Sequence, residues 1–353
     1  MEKLQNLLKR EAVAGEYGIE VEVEGEGIAE IQSNLWITER DGSLRGNYPN
    51  QAAEFVLKKP VSFHNAVKAV NTLFRTQRLQ GAKLNFSFRT SIHVHMNMLN
   101  YTLPQIYNTI YTYFLIEDVL VEYCGASRKA NRFCLTANAA EGILDIVKHI
   151  FVQGERGIDE IKRLNGDAVR YAALNLHGLR KYGSLEFRAM RGTDDIETIV
   201  NWLTALHNLK EFATKYKSVA DIHDEFLHQG PKDFLKAVLG DVYESFSIPE
   251  EEQMLNRSFS ITLDLAHAVP EMKEEKPKEA AKPDDGLKED FAMWDRDEVN
   301  RRIRAEVERI QAHRNAPDFR AERLADFFPA APRVDLNAVD LRELLNQPMQ
   351  APE

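Results

Sequence analysis

In the stretch YGIEVEVEGE, residues 17–26, apolar and acidic side chains alternate. Successive side chains of a β-strand point to opposite faces of the sheet. One face of this segment is therefore apolar, and the other carries three carboxylates, those of Glu20, Glu22 and Glu24. The pattern predicts a strand over residues 17–24 with one buried face.

The three carboxylates repel one another. Neighbours on one face of a strand are about 6.6 Å apart, at a rise of about 3.3 Å per residue. At an effective dielectric constant of about 20, each pair costs roughly 2.5 kcal/mol. Either solvation of an open acidic face or a bound divalent cation relieves this repulsion. The strand by itself leaves both interpretations open.

A second alternating segment, RTSIHVHMNM, lies within a strand predicted over Asn85–Met98. His93 and His95 share its polar face with Ser91. Two imidazoles at this spacing can bind a metal or contact phosphate. A structural role for the histidines is the alternative.

A third strand is predicted over Ser184–Ala189, where Glu186 and Arg188 share one face. Alone, this pair also fits a surface ion pair. Taken together, the three strands supply carboxylates, imidazoles and a guanidinium. Magnesium prefers carboxylate and phosphate oxygens, and phosphoryl transfer needs such ions with arginine or lysine. The set favours a nucleoside triphosphate site, although the sequence has neither a Gly-x-x-x-x-Gly-Lys-Ser/Thr motif nor a dinucleotide fingerprint.

Helical patterns separate the predicted strands. The polar strand faces are too ionisable to be covered by helices on both sides, as in a parallel sheet. We therefore expect an α+β fold in which helices cover only the apolar face of the sheet. The helical patterns span residues 63–77, 103–125, 158–166 and 195–216.

Composition excludes several classes of protein. The chain has 353 residues and a formal net charge of −10, which argues against nucleic acid as a partner. No segment approaches the roughly 20 apolar residues of a membrane helix, and the polar start lacks a secretory signal. Two cysteines without metal-binding spacing predict reduced thiols. We expect a cytoplasmic protein that binds neither nucleic acid nor membrane.

The composition changes near residue 269, where a segment rich in Pro, Lys and Glu begins. Such a segment cannot bury apolar surface and predicts a solvated linker. An amphipathic helix follows, which could dock on the main domain, on a second copy of the chain or on a partner protein. The predicted boundaries are 1–268 for the catalytic domain with a helical part at 216–268, 269–288 for the linker, 289–315 for the helix and 316–353 for a partly disordered tail.

The order of the motifs resembles a known family. Gly-x-Glu-x-Glu at Gly18–Glu22, His-Val-His at His93–His95 and Leu-Glu-Phe-Arg at Leu185–Arg188 are similar to the amidoligase branch of the glutamine synthetase and glutamate–cysteine ligase superfamily. The resemblance covers roughly residues 14–215. It extends to DGSL at Asp41–Leu44, AEFVLKKPVS around Glu54, SRKANRFC at 127–134 and RYAALNLHGL at 170–179.

The resemblance implies a curved, mostly antiparallel sheet with helices on its convex face, as in the catalytic domain of glutamine synthetase. Its concave face would hold ATP and two or three Mg²⁺ ions, which Mn²⁺ could replace. The implied metal ligands are Glu20, Glu22, Glu54, His93 and Glu186. The implied catalytic residues are Glu186, Arg188, Arg128, Arg132 and His95, with Arg128 or Arg132 on the transferring phosphoryl group. The implied nucleotide contacts are Arg188, Arg132, Asn175 and Ser91.

The implied reaction joins a carboxylate, of a small molecule or a peptide, to an amine. The carboxylate attacks ATP to give an acyl phosphate, and the amine then displaces phosphate. No general base is assigned to the second step; Glu24 is a candidate, and a carboxylate at the rim of the pocket is its alternative role. Three other functions fit the same residues: a phosphotransferase on the same fold, a metal-dependent hydrolase and a non-catalytic assembly protein.

Overall fold

The computed structural model describes residues 1–46, 50–140, 142–165 and 167–270. The linker, amphipathic helix and tail predicted over 269–353 lie outside these ranges, except for Val269 and Pro270. Within the described residues, no helix combines the length and the apolar character needed to cross a bilayer.

The described residues form an antiparallel sheet of seven strands in the order β2-β3-β1-β5-β7-β6, and the short β4 also pairs with β1. With the helices below, this sheet confirms the α+β prediction; its likeness to the glutamine synthetase catalytic domain stays a prediction. The strands are β1 (Tyr17–Glu26), β2 (Trp36–Glu39), β3 (Ala52–Leu57), β4 (Lys83–Asn85), β5 (Ile92–Asn97), β6 (Leu174–Asn175) and β7 (Ser184–Phe187).

Helices occupy the rest of the fold, and α2, α3, α5 and α8 correspond to the four predicted helical patterns. The helices are α1 (Leu4–Leu7), α2 (Phe63–Leu79), α3 (Leu103–Tyr123), α4 (Ile143–Val152), α5 (Gly157–Arg163), α6 (Asp167–Arg170), α7 (His177–Tyr182), α8 (Ile196–Ala213), α9 (Val219–Gln229), α10 (Pro231–Leu239), α11 (Tyr243–Phe246) and α12 (Glu251–Ala266).

Helices α2 and α3 pack on the apolar face of the sheet. The ring of Phe63 in α2 lies edge-on to Tyr17 of β1, with 5.9 Å between the ring centroids. Tyr113 of α3 contacts Phe187 of β7 in the same way at 5.3 Å. All four side chains are buried. Burial of this apolar face therefore fixes which side chains of each strand point away from the helices.

The register of β1 brings the polar residues of separate strands to one level. Glu20 lies opposite His93 of β5, and Glu22 lies opposite Glu54 of β3. His95 in turn lies opposite Glu186 of β7. Directly opposed residues of an antiparallel pair point to the same face. The sheet thus collects its ionisable side chains on the face opposite the helices.

The prediction of one continuous strand over Asn85–Met98 is wrong. Asn85 and Ser91 are six positions apart in the chain, whereas Glu24 and Glu22, which face them across β1, are only two apart. The extra residues form a turn that does not pair with β1. In this turn the backbone N–H and the hydroxyl of Thr90 both donate hydrogen bonds to the Ser87 carbonyl. Alternation alone does not reveal such an insertion, because the residues on either side of it point to the same faces of the sheet as they would in one continuous strand.

Glu117 makes the stability of the fold depend on pH. This side chain of α3 is 3% exposed and accepts a hydrogen bond from the Ala137 backbone N–H at 2.6 Å. Burial raises its pKa from 4.5 to about 8. The folded protein therefore keeps a proton that the unfolded chain has lost, and stability falls as pH rises from 4.5 to 8.

We expect Glu117→Gln to reduce this fall, because glutamine can still accept the Ala137 bond but carries no charge. Thermal denaturation between pH 5 and pH 9 should show a higher Tm for the variant at the alkaline end. The exposed Glu252→Gln is the control and should follow the wild-type profile. Equal pH slopes for Glu117→Gln and wild type would contradict the assignment.

Candidate active site

Glu20 lies at the centre of the polar face. Its Oε2 is 3.1 Å from Nδ1 of His93, and its Oε1 is 3.1 Å from Nε2 of His95. Burial alone would raise the pKa of Glu20, but the hydrogen bonds and charges of the two histidines outweigh it and hold the pKa well below its usual range. The same contacts raise the pKa of His95 against the opposing effect of burial. Glu20 is thus a carboxylate held ionised between two imidazoles.

The Ser91 hydroxyl joins His93 to Glu22. Its Oγ lies 2.6 Å from Nε2 of His93 and 2.5 Å from Oε2 of Glu22. One hydroxyl proton serves one of these bonds, so either His93 carries two ring protons or Glu22 is protonated. Burial raises the pKa of Glu22, which favours the second arrangement. A cation bound by Glu22 would compete with a proton at this position.

The interpretation of β1 as a solvated acidic strand does not fit this structure. Glu22 and Glu24 are buried, and so are His93 and Glu186. Water therefore does not screen most of the repulsion between the carboxylates. A bound cation is the other way to offset this repulsion that the sequence suggested.

Glu54 and Asp41 add two carboxyl groups beside Glu22. Burial, followed by repulsion from Glu20, Glu22 and Asp41, raises the pKa of Glu54 to about 8. Asp41 lies in the turn after β2, where its Oδ1 accepts the Ser43 N–H at 2.5 Å. The family resemblance covers this turn, but Asp41 is not among the site residues predicted from the sequence. The signal for Asp41 in the sequence was an acidic residue shortly after β2, the strand that pairs with the Glu54 strand β3.

These side chains form three groups that could each hold a metal ion, and the ligand atoms in each group lie within 4.8 Å of one another. Two groups combine carboxylates with one imidazole, and the third is all carboxylate. Such oxygen-rich sets suit Mg²⁺ or Mn²⁺. The groups are Glu20–His95–Glu186, Glu20–Glu54–His93 and Glu22–Asp41–Glu54.

Glu186 is held from two sides. Nδ2 of Asn175 in β6 donates to its Oε2 at 2.6 Å, and Nη1 of Arg188 forms an ion pair with its Oε1. Burial would raise the pKa of Glu186, but the charges of His95 and Arg188 lower it overall. Asn175, expected to contact the nucleotide, thus orients a candidate metal ligand.

Arg128 does not point its donors at these carboxylates. It is 1% exposed, and its guanidinium donates to the backbone carbonyls of Ala189, Arg188 and Phe88 at 3.0, 2.8 and 3.4 Å. These bonds tie the end of β7 to the inserted turn before β5. The structure therefore places Arg128 as a support for Arg188.

An arginine–aromatic patch, formed by Phe88, Arg89, Arg132 and Phe133, lies beside Arg188. The Arg132 guanidinium is 4.9 Å from the Phe133 ring, and that of Arg89 is 5.1 Å from Phe88 and 5.7 Å from Phe133. Nε of Arg188 donates to the Phe133 carbonyl at 3.4 Å. Of these four residues, only Arg132 is among the site residues predicted from the sequence. The Phe-Arg pair just before the histidine strand was the signal for Phe88 and Arg89.

A cavity of about 550 Å³ opens beside Glu20 and His95; we call it the Gly18 cavity. Gly18 forms part of its wall, Lys58 and Lys59 line it, and Tyr182 lies edge-on to His95 at 5.8 Å. Nδ1 of His95 lies 3.1 Å from the Ser184 hydroxyl in the same wall. A space of this size suits a small organic molecule.

Comparison with known proteins identifies the family. No curated protein sequence matches the chain at a significant level. A family model described as "Putative amidoligase enzyme" matches residues 8–209, more than half of the chain. The matched region contains all the residues of the three groups that could hold metal ions. The chain therefore belongs to the amidoligase family.

Proposed function

We propose that this amidoligase uses ATP and divalent cations to join a carboxylate to an amine through an acyl phosphate. The observation that carries the proposal is the set of three carboxylate-rich groups beside Arg188. Family membership supports a ligase that forms amide bonds. The use of ATP and metal rests on the chemistry of the side chains.

The donor set fits magnesium or manganese. Glu20, Glu54, His93 and Glu186 would act as ligands together with Glu22 and Asp41, which extends the set that the resemblance implied. Glu20 and Glu54 each belong to two of the three groups, so neighbouring ions would share them. Bound ions would neutralise phosphate charge and orient the phosphate oxygens. The raised pKa values of Glu22 and Glu54 fit a site in which cations replace protons.

The arginine–aromatic patch supports nucleotide binding. Phe88 is 53% exposed and offers an apolar face on which a base can stack. Arg132 is exposed beside it, and Arg188 lies between the patch and Glu186. We assign Arg132 and Arg188 to the phosphates, because guanidinium groups bind phosphate oxygens in a bidentate manner. Arg128 acts indirectly, by holding the backbone of Arg188.

The reaction proceeds in two balanced steps. A carboxylate oxygen of the substrate attacks the γ-phosphorus of ATP, and the bond from that phosphorus to the β–γ bridging oxygen breaks to release ADP. The amine nitrogen then attacks the acyl carbon, phosphate leaves, and the nitrogen loses a proton. The chain's share is to position the substrates and to neutralise charge. We place this reaction in the cytoplasm, where ATP is available and where free thiols such as Cys124 and Cys134 stay reduced.

We expect Glu54→Gln to weaken Mn²⁺ binding by roughly tenfold to a hundredfold, because the residue contributes to two groups. Glu39→Gln is the matched control. Glu39 lies directly opposite Glu54 on the neighbouring strand but belongs to none of the three groups. Calorimetric titration of Mn²⁺ into the full chain measures both variants. Equal losses in the two variants would show that only general negative charge matters.

We expect Glu186→Gln to keep the fold, because glutamine can still accept the Asn175 bond, and to lower acyl phosphate formation by roughly a hundredfold or more. Incubation with Mg²⁺, ATP and a panel of carboxylates, with hydroxylamine as the trapping amine, yields hydroxamates that can be counted. Thermal denaturation of the variant checks the fold.

Full activity of Glu186→Gln would remove this residue from the site. A phosphorylated amine in place of hydroxamate would identify a phosphotransferase, and ester or amide cleavage without ATP would identify a hydrolase. If ATP bound with none of the metals tested, a non-catalytic assembly protein would be the remaining candidate function.

A further inference from the structure

The Gly18 cavity and the arginine–aromatic patch lie at opposite ends of the polar face. Along β1, Gly18 lies opposite His95, at the cavity. The patch adjoins the Glu22 end, because Arg89 donates at 2.9 Å to the Ser43 carbonyl, in the turn that also supplies a carboxylate to the group of Glu22. With the nucleotide at the patch, as proposed above, the cavity is available to a second substrate.

Gly18 keeps the inner end of the cavity open because it has no side chain. A Cβ there would lie 3.3 Å from Cβ of His95, a tight contact. Glu20 and His95 line this end and belong, with Glu186, to one of the groups that could hold a metal ion. A ligand in the cavity would therefore have its inner end beside that group. Farther out the walls are apolar, and they are formed in part by Val13, Ile37, Val56 and Leu99.

Asn97 and Ser184 also line the cavity, but they form hydrogen bonds within the protein. Nδ2 of Asn97 donates to the carbonyls of Val13 and Gly15 at 3.2 and 2.9 Å, and its Oδ1 accepts the backbone N–H two residues later at 3.1 Å. The Ser184 hydroxyl lies 3.1 Å from Nδ1 of His95. These two side chains hold the wall in place, which leaves the choice of ligand to the charged residues.

A bulge just after β3 forms the outer rim of the cavity. Val56 lies opposite Glu20, and Val61 forms a bridge with Tyr17. The two valines are five positions apart and their partners only three, so two extra residues do not pair with β1. Bulges next to functional sites change the direction of side chains. This one presents the segment 58–60, Lys-Lys-Pro, to the cavity.

Lys58 points to the polar face of the sheet. It follows Val56 by two residues, and its N–H still donates to the Leu35 carbonyl at 2.9 Å, so the alternation of β3 continues to this residue. Lys58 and His95 lie on either side of β1, with their backbones about 9.6 Å apart at a strand spacing of about 4.8 Å. Gly18 lies between them and leaves the space above β1 free for a ligand.

The rim carries three positive charges, in contrast to the chain as a whole. Lys58 and Lys59 are exposed, and within the described residues neither forms an ion pair. Arg10 also lines the cavity, and its guanidinium donates to the Arg180 carbonyl at 3.1 Å. Both lysine ammonium groups are therefore available to an anion.

The acidic residues of the lining do not outweigh this positive charge. Among the described residues they are Glu20 and Glu39. Glu39 is exposed and lies on β2 opposite Glu54. A cation held by Glu20, His95 and Glu186 would cancel the charge of both carboxylates in that group. Glu39 alone then opposes three positive charges, so the cavity favours an anionic ligand.

We propose that the Gly18 cavity binds the carboxylate substrate and selects a dicarboxylate, whose second carboxylate is bound by Lys58 and Lys59. The inference rests on the proposed function, because the carboxylate that is phosphorylated must lie beside the metal groups. Carboxylate oxygens suit Mg²⁺ at the inner end and ammonium groups at the rim. The apolar walls between the two ends suit the methylenes of such a molecule.

The test uses the full chain saturated with MgADP and a series of dicarboxylates from butanedioate to octanedioate. In calorimetry at least one of them should bind about tenfold more tightly than its monoamide, which has the same length but lacks one charge. The double variant Lys58→Ser, Lys59→Ser should lose this tenfold preference, while its affinities for the monoamide and for MgADP stay the same.

Two further variants separate recognition from structural damage. Lys58→Glu with Lys59→Glu should change the preference from dicarboxylates to ω-amino carboxylates of the same length, which loss of structure would not do. Lys83→Ser removes an exposed lysine at the other end of β1 and should leave the preference for dicarboxylates unchanged.

Three results would overturn the inference while the ligase proposal stood. In the first, no dicarboxylate binds the wild-type complex more tightly than its monoamide. In the second, the Lys58/Lys59 serine variant keeps the preference. In the third, that variant loses affinity for MgADP, which would place the nucleotide phosphates in the Gly18 cavity. Failure of the wild-type chain to bind MgADP would instead refute the ligase proposal, and this inference with it.

Discussion

The structure depends on like charges held together by the register of one strand. β1 is paired along both edges, so Glu20 and Glu22 cannot move apart without breaking the sheet. Two histidines balance Glu20, and Arg188 balances Glu186. Within the described residues Glu54 forms no ion pair, and burial together with the neighbouring carboxylates raises its pKa. Packing of the apolar face stabilises the sheet and so keeps the repelling carboxyl groups together on the other face. Strain of this kind is typical of a binding site.

Alternation in the sequence was enough to predict β1, the two histidines and the Glu186–Arg188 pair. That pattern is local, because a period of two assigns each residue to a face without reference to the partner strand. The long helices were equally visible, since an apolar stripe at helical spacing is a local signal too. Combining the three strands into one site assumed that their polar faces lie together, and the family resemblance supported this assumption. No strand by itself contains information about its neighbours.

The features that the sequence did not reveal all depend on pairing between distant segments. The inserted turn before β5 exists because Asn85 and Ser91 pair with residues only two apart. The bulge that presents Lys58 and Lys59 has the same origin. Arg128 resembles a phosphate ligand in the sequence, and only its bonds to three carbonyls show that it supports the backbone.

The two ends of the polar face differ in charge and in shape. Arginines and exposed aromatic rings surround the Glu22 end, whereas the Gly18 end leads into a cavity with an apolar middle and a lysine rim. Glu20 lies between them and takes part in two of the three metal-binding groups. With one substrate entering from each end, the two would meet at Glu20, where the register of β1 fixes their separation.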